Sequence, residues 1–441
     1  MLQDIKERII LQKREIESKL KERYIERNQD LKLNNDLIKV IVGPRRAGKS
    51  FFAIHFLNKQ GKFGYVNFDD EKLVEVENYD EIIAAINSVY DNPKFILFDE
   101  IQNLPKWELF VNRLQRQGHN LVITGSNSNL LSNELATHLT GRHLLTNIFP
   151  FSFKEYLKLE TSRFVSAQSN LDGAQEPLIK KNVLDNKELT ITEIKEKMSQ
   201  YLLNGGYPEI LSKKIELKEY LGTLFNSIIY KDIVKRYKIR NPREIEDLVI
   251  YFISNIANEY SYNSLTKVGK IKSSHTTEKY LKYLEESFIL FSLNRFSYKV
   301  KEQLSSNKKI YCIDNGFIQA KAFRLSPDTG KLYENVVACK LKKEEVDGKL
   351  KFYYWKNQQQ EEVDFIIKEG IKVKQLIQVC FNINNLETKN REIRALIKAG
   401  KELKCSHLLI ITEDTESKEK MEWFGDKATI NYIPLWKWLL T

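Results

Sequence analysis

The chain has 441 residues, 42% hydrophobic and 29% charged, with 18 glycines and 9 prolines. At roughly 100–200 residues per domain this describes a multidomain globular protein and excludes disordered, collagen-like and low-complexity designs. No apolar run nears the ~18 residues of a membrane-spanning helix, and a formal net charge of +11 favours a polyanionic partner.

In chain order, residues 1–35 read as one charged helix with Leu2, Ile5, Ile9, Leu20 and Tyr24 at loosely helical spacing. This stretch has no apolar block ending in small residues, so no export signal is expected. Residues 36–155 alternate short apolar runs (IKVIV, GYVNF, KFILF, NLVIT, LLTNIF) with helical stretches, which predicts a parallel sheet covered on both faces. Helical patterns fill 156–240, broken by the polar loop SAQSNLDGAQE. Within 241–322, REIEDLVIYFISNIAN, SYNSLTKVGK and SSHTTEKYLKYLEESFILFSLNRF read as three helices, and FSYKV and KKIYCID as a strand pair. Residues 323–441 return to mixed α/β. YENVVACKL and ETKNREIRALIKAGKEL are helical there, and EEVDFII, KQLIQVCF and LLIITED are strand-like. Cys312, Cys339, Cys380 and Cys405 lie far apart with no CxxC spacing, so neither a disulfide framework nor a zinc ribbon is expected and a cytoplasmic location fits. The six histidines show no ligand spacing.

The strongest motif is Gly43-Pro44-Arg45-Arg46-Ala47-Gly48-Lys49-Ser50, followed by Phe51. It matches GxxxxGK[ST], with an apolar strand before it and a helical run after it. Glycines let the backbone curl so that its N–H groups face a phosphate chain, and the helix N-terminus adds positive partial charge. Lys49 is expected on the β- and γ-phosphates of ATP, and Ser50 on Mg²⁺. Downstream, Phe95-Ile-Leu-Phe ends in Asp99-Glu100, where open α/β sheets bind ligands. Asp99 is assigned to the metal and Glu100 to polarising the attacking water. Asn67, ending GYVNF, is read as holding Glu100 idle, and Thr124 and Ser126, ending LVITGS, as sensing the γ-phosphate. Arg142 in HLTGRH is read as an arginine finger, which acting in trans requires a homo-oligomer.

The runs GPRRAGKSFF, YVNFDDEKL, FILFDEIQNLPKWELFVNRLQRQG, LVITGSNSNLLS and LTGRHLLTNIFPFSFKEYL resemble prokaryotic ATPases of the AAA+ superfamily that carry a carboxyl-terminal domain of uncharacterised function. YLLNGGYPEIL, SIIYKDIVKRYKI, KIYCIDNGF and EEVDFII extend the resemblance to nearly the whole chain beyond about residue 35. It implies an α/β P-loop core with five parallel strands in the order 5-1-4-3-2, a helical lid, a winged helix and a restriction-endonuclease-like terminal fold.

Residues 231–310 hold 16 Lys and Arg against 9 Asp and Glu. Three helices and a wing make a winged helix-turn-helix, whose third helix enters the major groove by its first turn. Here that turn offers Lys272, Ser273, Ser274, His275, Thr276 and Lys279, suited to phosphates and base edges of double-stranded DNA. In the terminal segment the spacing of Glu334, Glu362, Asp364 and Gln378 resembles the PD-(D/E)xK nuclease core, in which carboxylates hold Mg²⁺ and a lysine positions water. Gln378 and Cys380 replace the motif's second acid and its lysine. A degenerate binding module is therefore expected, with Lys374 able to substitute only by a register shift. The reading is a cytoplasmic Mg²⁺-dependent ATPase that binds DNA and no membrane. The alternatives are a nucleotide-switched signalling protein with little turnover and a metal-dependent nuclease using Glu334 and Asp364.

Overall fold

The computed structural model describes residues 2–125, 141–167, 189–213, 215–268, 271–323, 328–423 and 425–441. The chain divides into two compact units. One comprises residues 1–150 with 286–288, the other the remainder from Phe151.

The first unit is built on five short strands: β1 (Ile38–Val42), β2 (Phe63–Asn67), β3 (Phe95–Asp99), β4 (Asn120–Gly125) and β5 (His143–Asn147). All pair in parallel in the order β2-β3-β4-β1-β5, which is the order expected. Alternate residues serve opposite faces, as the period of two in a strand requires. Ile38, Val40, Val42, Ile96, Phe98, Leu121 and Ile123 join one core, with Trp107 and Phe110 of the helix Trp107–Arg116 and Ile82 and Ile86 of Tyr79–Tyr90. Ile41, Phe95, Leu97 and Val122 join the other, with Phe52, Ile54 and Leu57 of the helix Lys49–Lys59. Near-continuous burial of each strand is the signature of a sheet covered on both faces.

The amino-terminal helix is shorter than expected: it spans Leu2–Lys19 and buries Ile5, Ile9, Gln12 and Ile16. Beyond it the chain to Leu37 is irregular, and burial there falls on single residues such as Arg27 and Leu31 rather than on a stripe.

The second unit begins with helices, among them Phe153–Ala167, Ile191–Asn204 and Leu217–Ser227, the last running on as a π-helical stretch, Ile228–Lys235. Then come the helix Pro242–Ser254, β6 (Glu259–Tyr260), and the helices Tyr262–Val268 and Ser274–Glu286. The expected third helix overran its end: Phe288 takes a φ of +57°, and Leu290–Asn294 is a strand, β7. β7 pairs antiparallel with β8 (Lys308–Cys312), which also pairs with β6. The segment FSYKV, expected as a strand, leads instead into the short helix Val300–Ser305. The run SFILFSLN mixes apolar and polar residues in a way that fits either period, and pairing with β8 decides it.

The terminal segment forms a six-stranded sheet in the order β13-β14-β12-β11-β10-β9. Its strands are β9 (Lys351–Lys356), β10 (Glu362–Glu369), β11 (Lys372–Val379), β12 (Leu408–Thr412), β13 (Ser417–Trp423) and β14 (Asp426–Pro434). β9, β10 and β11 are antiparallel neighbours, and β12 joins β11 in parallel. The helices Thr329–Val346 and Leu386–Glu402 start on side-chain caps from Asp328 and Asn385. Among the described residues no helix is long and apolar enough to cross a membrane.

Candidate functional site: a glycine-bent loop over Asp99

β1 runs into the loop 43–48, and the helix Lys49–Lys59 leaves it. A Cβ built on Gly43 falls 1.9 Å from the Ile148 carbonyl oxygen, a backbone atom that cannot yield, so this position admits only glycine. Gly48 takes a φ of +92° and Arg46 one of +64°. The resulting bend turns the helix N-terminus toward the carboxyl ends of the strands. Lys49 is buried, and its Nζ donates to the carbonyls of Gly43 (3.1 Å) and Pro44 (2.9 Å). The loop thus closes on its own lysine. Arg27 braces it from behind: this buried guanidinium donates to Ala47 O at 2.6 Å and to Phe149 O at 2.8 Å. No local signal in the charged run 1–35 singles Arg27 out.

Asp99, the last residue of β3, is the centre of the network. Ser50 Oγ donates to its Oδ1 at 2.7 Å, and Tyr65 OH to its Oδ2 at 2.9 Å. Thr124 Oγ1 also donates to Oδ1, and accepts the Glu100 N–H at 3.1 Å. The sheet order makes this possible, since β3 lies between β2, which carries Tyr65, and β4, which carries Thr124. Burial and the Asp99 charge raise the Tyr65 hydroxyl well above its usual range, so it stays a donor. Tyr65 was legible only as an apolar strand position.

Glu100 takes a φ of +51°, rare for a side chain of its kind. Its carboxylate accepts from Gln102 Nε2. Burial pushes Glu100 above its ordinary value, Lys49 pulls it down, and Asp99 adds to the rise. A raised carboxyl is a better proton acceptor than an ordinary one. The side chain holding it is Gln102, which the sequence reading passed over, and not Asn67. Asn67 Oδ1 accepts the Asp69 N–H at 2.9 Å in a local turn, and its backbone pairs with Gln12. Arg142 is exposed just before β5, and its carbonyl accepts the Ile38 N–H at 3.0 Å. Ser126 lies outside the described residues.

In the second unit, Lys272, Ser274, His275 and Lys279 are all exposed around the start of the helix Ser274–Glu286. The terminal carboxylates do come together. Asp364 N donates to Gln378 Oε1 at 3.2 Å, and Gln378 Nε2 to Glu392 Oε2 at 2.6 Å. Glu334 and Asp364 share the Lys309 ammonium, at 3.0 and 3.3 Å. Burial, then the Glu334 charge, pushes Asp364 up to about 7. Lys374 does not join them, since it pairs with Glu369 at an exposed edge, 2.6 Å away.

A glycine-bent loop ahead of a helix, a lysine and serine on that helix and an acid pair ending the third strand define a P-loop ATPase core, and residues 35–157 match the family described as AAA domain. Residues 195–328 and 329–438 match two domains of unknown function, DUF8612 and DUF4143. Over 451 residues the chain is 36% identical to uncharacterized protein MJ1544 of Methanocaldococcus jannaschii, covering 99% of this chain and 95% of that one, and it belongs to the same family. An uncharacterized protein of Haemophilus influenzae is 29% identical over 84% of this chain and 89% of its own length. Among solved structures, the Walker-type ATPase PABY2304 of Pyrococcus abyssi is similar at a TM-score of 0.42, with 15% identity over 65% of this chain and 91% of that one. The Aeropyrum pernix ORC1 protein, solved in complex with DNA, is similar at a TM-score of 0.30, with 13% identity over 69% of this chain and 88% of that one.

Proposed function

We propose that the chain is a Mg²⁺-dependent ATPase that couples its nucleotide state to a DNA-binding second unit. The observation that carries this is the pairing, at the helix start that follows one glycine-bent loop, of a lysine ammonium with a serine hydroxyl 2.7 Å from Asp99. Hard oxygens at that spacing suit Mg²⁺, which Ser50 and Asp99 would hold. When bound, the ion neutralises charge on the β- and γ-phosphates. Lys49 exchanges the Gly43 and Pro44 carbonyls for phosphate oxygens, and the loop amides take the rest of the chain. Tyr65 and Thr124 keep Asp99 oriented. Glu100, released from Gln102, accepts the proton of the attacking water. Arg142, exposed before β5, is available to a neighbouring copy's γ-phosphate. The test is turnover with and without duplex DNA, beside a mass measurement in ATP. Lys49→Ala should abolish hydrolysis, and unchanged hydrolysis in that variant sinks the reading.

The order helix, β6, helix, helix, β7, β8 supports a winged helix. Its third helix presents Lys272, Ser274, His275 and Lys279 to solvent, where they would meet phosphates and base edges. Log affinity for duplex DNA should fall linearly with log salt, with a smaller slope in Lys279→Ala. The order helix, β9, β10, β11, helix, β12 supports the PD-(D/E)xK-like reading of the terminal domain. One contact favours the alternative of a switch with little turnover: Gln102 clasps the base. Glu100→Gln separates the two, trapping ATP if Glu100 is the base and changing little if it is not.

A further inference from the structure

The terminal carboxylates take their cation from the chain itself. Lys309 Nζ lies 3.0 Å from Glu334 Oε1 and 3.3 Å from Asp364 Oδ1, and it also pairs with Glu362 Oε1. An ammonium has three N–H donors, and three carboxylates meet this one. Other groups meet the same acids. Tyr311 OH donates to Glu334 Oε1 at 2.7 Å, the Val379 N–H to Asp364 Oδ2 at 2.9 Å, and Lys356 lies 3.9 Å from Glu362 Oε2. The acids come from the helix Thr329–Val346 and from β10, whereas Lys309 comes from β8 of the three-stranded sheet. That sheet is stitched to β9 beside the cluster: Phe296 N donates to Tyr354 O at 2.7 Å, Tyr354 OH to Asn307 O at 2.6 Å, and Lys356 pairs with Glu259.

We propose that Lys309 is the resident counter-ion of this pocket, standing where a nuclease of this kind would take Mg²⁺, so that the pocket is a joint between β8 and the terminal sheet and binds no divalent ion while β8 is seated. Two carboxylates plus a third could chelate a metal only by giving up the ammonium between them. Among the described residues no group of three or more His, Cys, Asp and Glu is arranged to hold a metal ion. Lys309 does not replace the missing catalytic lysine either. Its side chain is 3% exposed and all three donors are spent, so it has no N–H to offer a water or a phosphodiester. The motif's lysine position is occupied by Cys380, which packs in the apolar core with Leu396 and Ile410.

The test is thermal unfolding of the full chain, without nucleotide, with and without millimolar Mn²⁺. Lys309→Ala should unfold at a lower temperature than the parent and recover much of that loss in Mn²⁺. The recovery should vanish when Asp364→Asn is added. The parent's response to Mn²⁺ should be the same with and without Asp364→Asn, and neither should cleave plasmid DNA. The proposal is overturned if Lys309→Ala is as stable as the parent, if Mn²⁺ does not rescue it, or if the parent loses a bound Mn²⁺ on Asp364→Asn. Should Lys309→Ala and Lys309→Met both fail to fold, counting parent Mn²⁺ by electron paramagnetic resonance decides alone: equal numbers in parent and Asp364→Asn uphold the joint, and one fewer in the variant refutes it.

Discussion

Tyr65→Phe isolates the part of the nucleotide site that only the structure reveals. Phenylalanine keeps the ring, which is buried in the core under β2, and removes only the hydroxyl that donates to Asp99 Oδ2 at 2.9 Å. Asp99 is itself 3% exposed, so water does not replace the lost donor. Asp99 accepts from Ser50, Tyr65 and Thr124. With Ser50 on a bound Mg²⁺, as proposed, Tyr65 and Thr124 alone would aim the carboxylate. A hydrogen bond to a buried charged group is worth about 1.5–3 kcal/mol. At about 1.4 kcal/mol per tenfold change, half-saturation by Mg²⁺ in an ATPase titration should therefore rise roughly 10- to 150-fold. The maximal rate at saturating Mg²⁺ should return to within a few-fold, because no group that meets the phosphates has changed. ATP binding in chelator should be untouched. An unchanged Mg²⁺ half-saturation in a folded variant would refute the idea that Tyr65 orients a metal-binding carboxylate. A loss of maximal rate that Mg²⁺ cannot restore would refute it equally.

Gly43→Ala should abolish measurable ATP binding by calorimetry, because its methyl would lie 1.9 Å from the Ile148 carbonyl and the loop must shift to hold it. Turnover should fall on acidification at a pH above the ordinary carboxyl range, since burial raises Glu100; only the deprotonated form accepts a proton, and this acid limb should disappear from any residual rate of Glu100→Gln. Asp314 is held up to about 6, chiefly by burial, against an ordinary 3.8. Its folded form favours the proton, so its contribution is fully present below the unfolded pKa and is lost as pH rises through about 6; urea unfolding should report a loss of up to about 3 kcal/mol between pH 4 and pH 7 from this group. Asp314→Asn should flatten that slope and still cost about 1–3 kcal/mol, because its amide cannot accept from both N–H groups that the carboxylate now satisfies.

Much of the first unit was legible because its signals are local. Each strand is a short apolar run, and the loop 43–50 carries its chemistry within one stretch of chain. What was missed depends on partners far along the sequence. Arg27 reaches Phe149, and Lys309 reaches Glu334 and Asp364; in sequence both are ordinary members of charged runs. Asn67 shows a related effect. Its position at a strand end next to Asp99 was right in register, but an asparagine there has a nearer partner, the amide two residues on. The third helix of the middle segment was overextended because SFILFSLN suits two periods, and only its pairing with β8 selects the strand.

Two of the segments that carry the resemblance, GGYPE and KIYCIDNGF, grip each other. Asp314 Oδ2 accepts the Gly206 N–H at 2.7 Å and its Oδ1 the Gly316 N–H at 2.8 Å. Gly205, at a φ of +72°, leaves room for it: a Cβ there would fall 1.8 Å from Asp314 Oδ1. Asn315 Nδ2 donates to the carbonyls of Leu202 and Leu332, at 3.0 and 3.3 Å. Asn335 accepts from Cys312 N at 2.8 Å and donates to Cys312 O at 2.9 Å. A carboxylate and two amides thus spend these hydrogen bonds on backbone of the helices, the turn at Gly206 and the end of β8. Buried polar groups so fully paired fix one arrangement of elements and leave little to donate to a substrate. On the proposed reading, the chemistry rests with the loop over Asp99, and the choice of partner would fall to exposed side chains such as Lys272, Lys279 and Arg142. Relatives that keep the interlock while changing those surface positions would share one architecture and differ in what they bind.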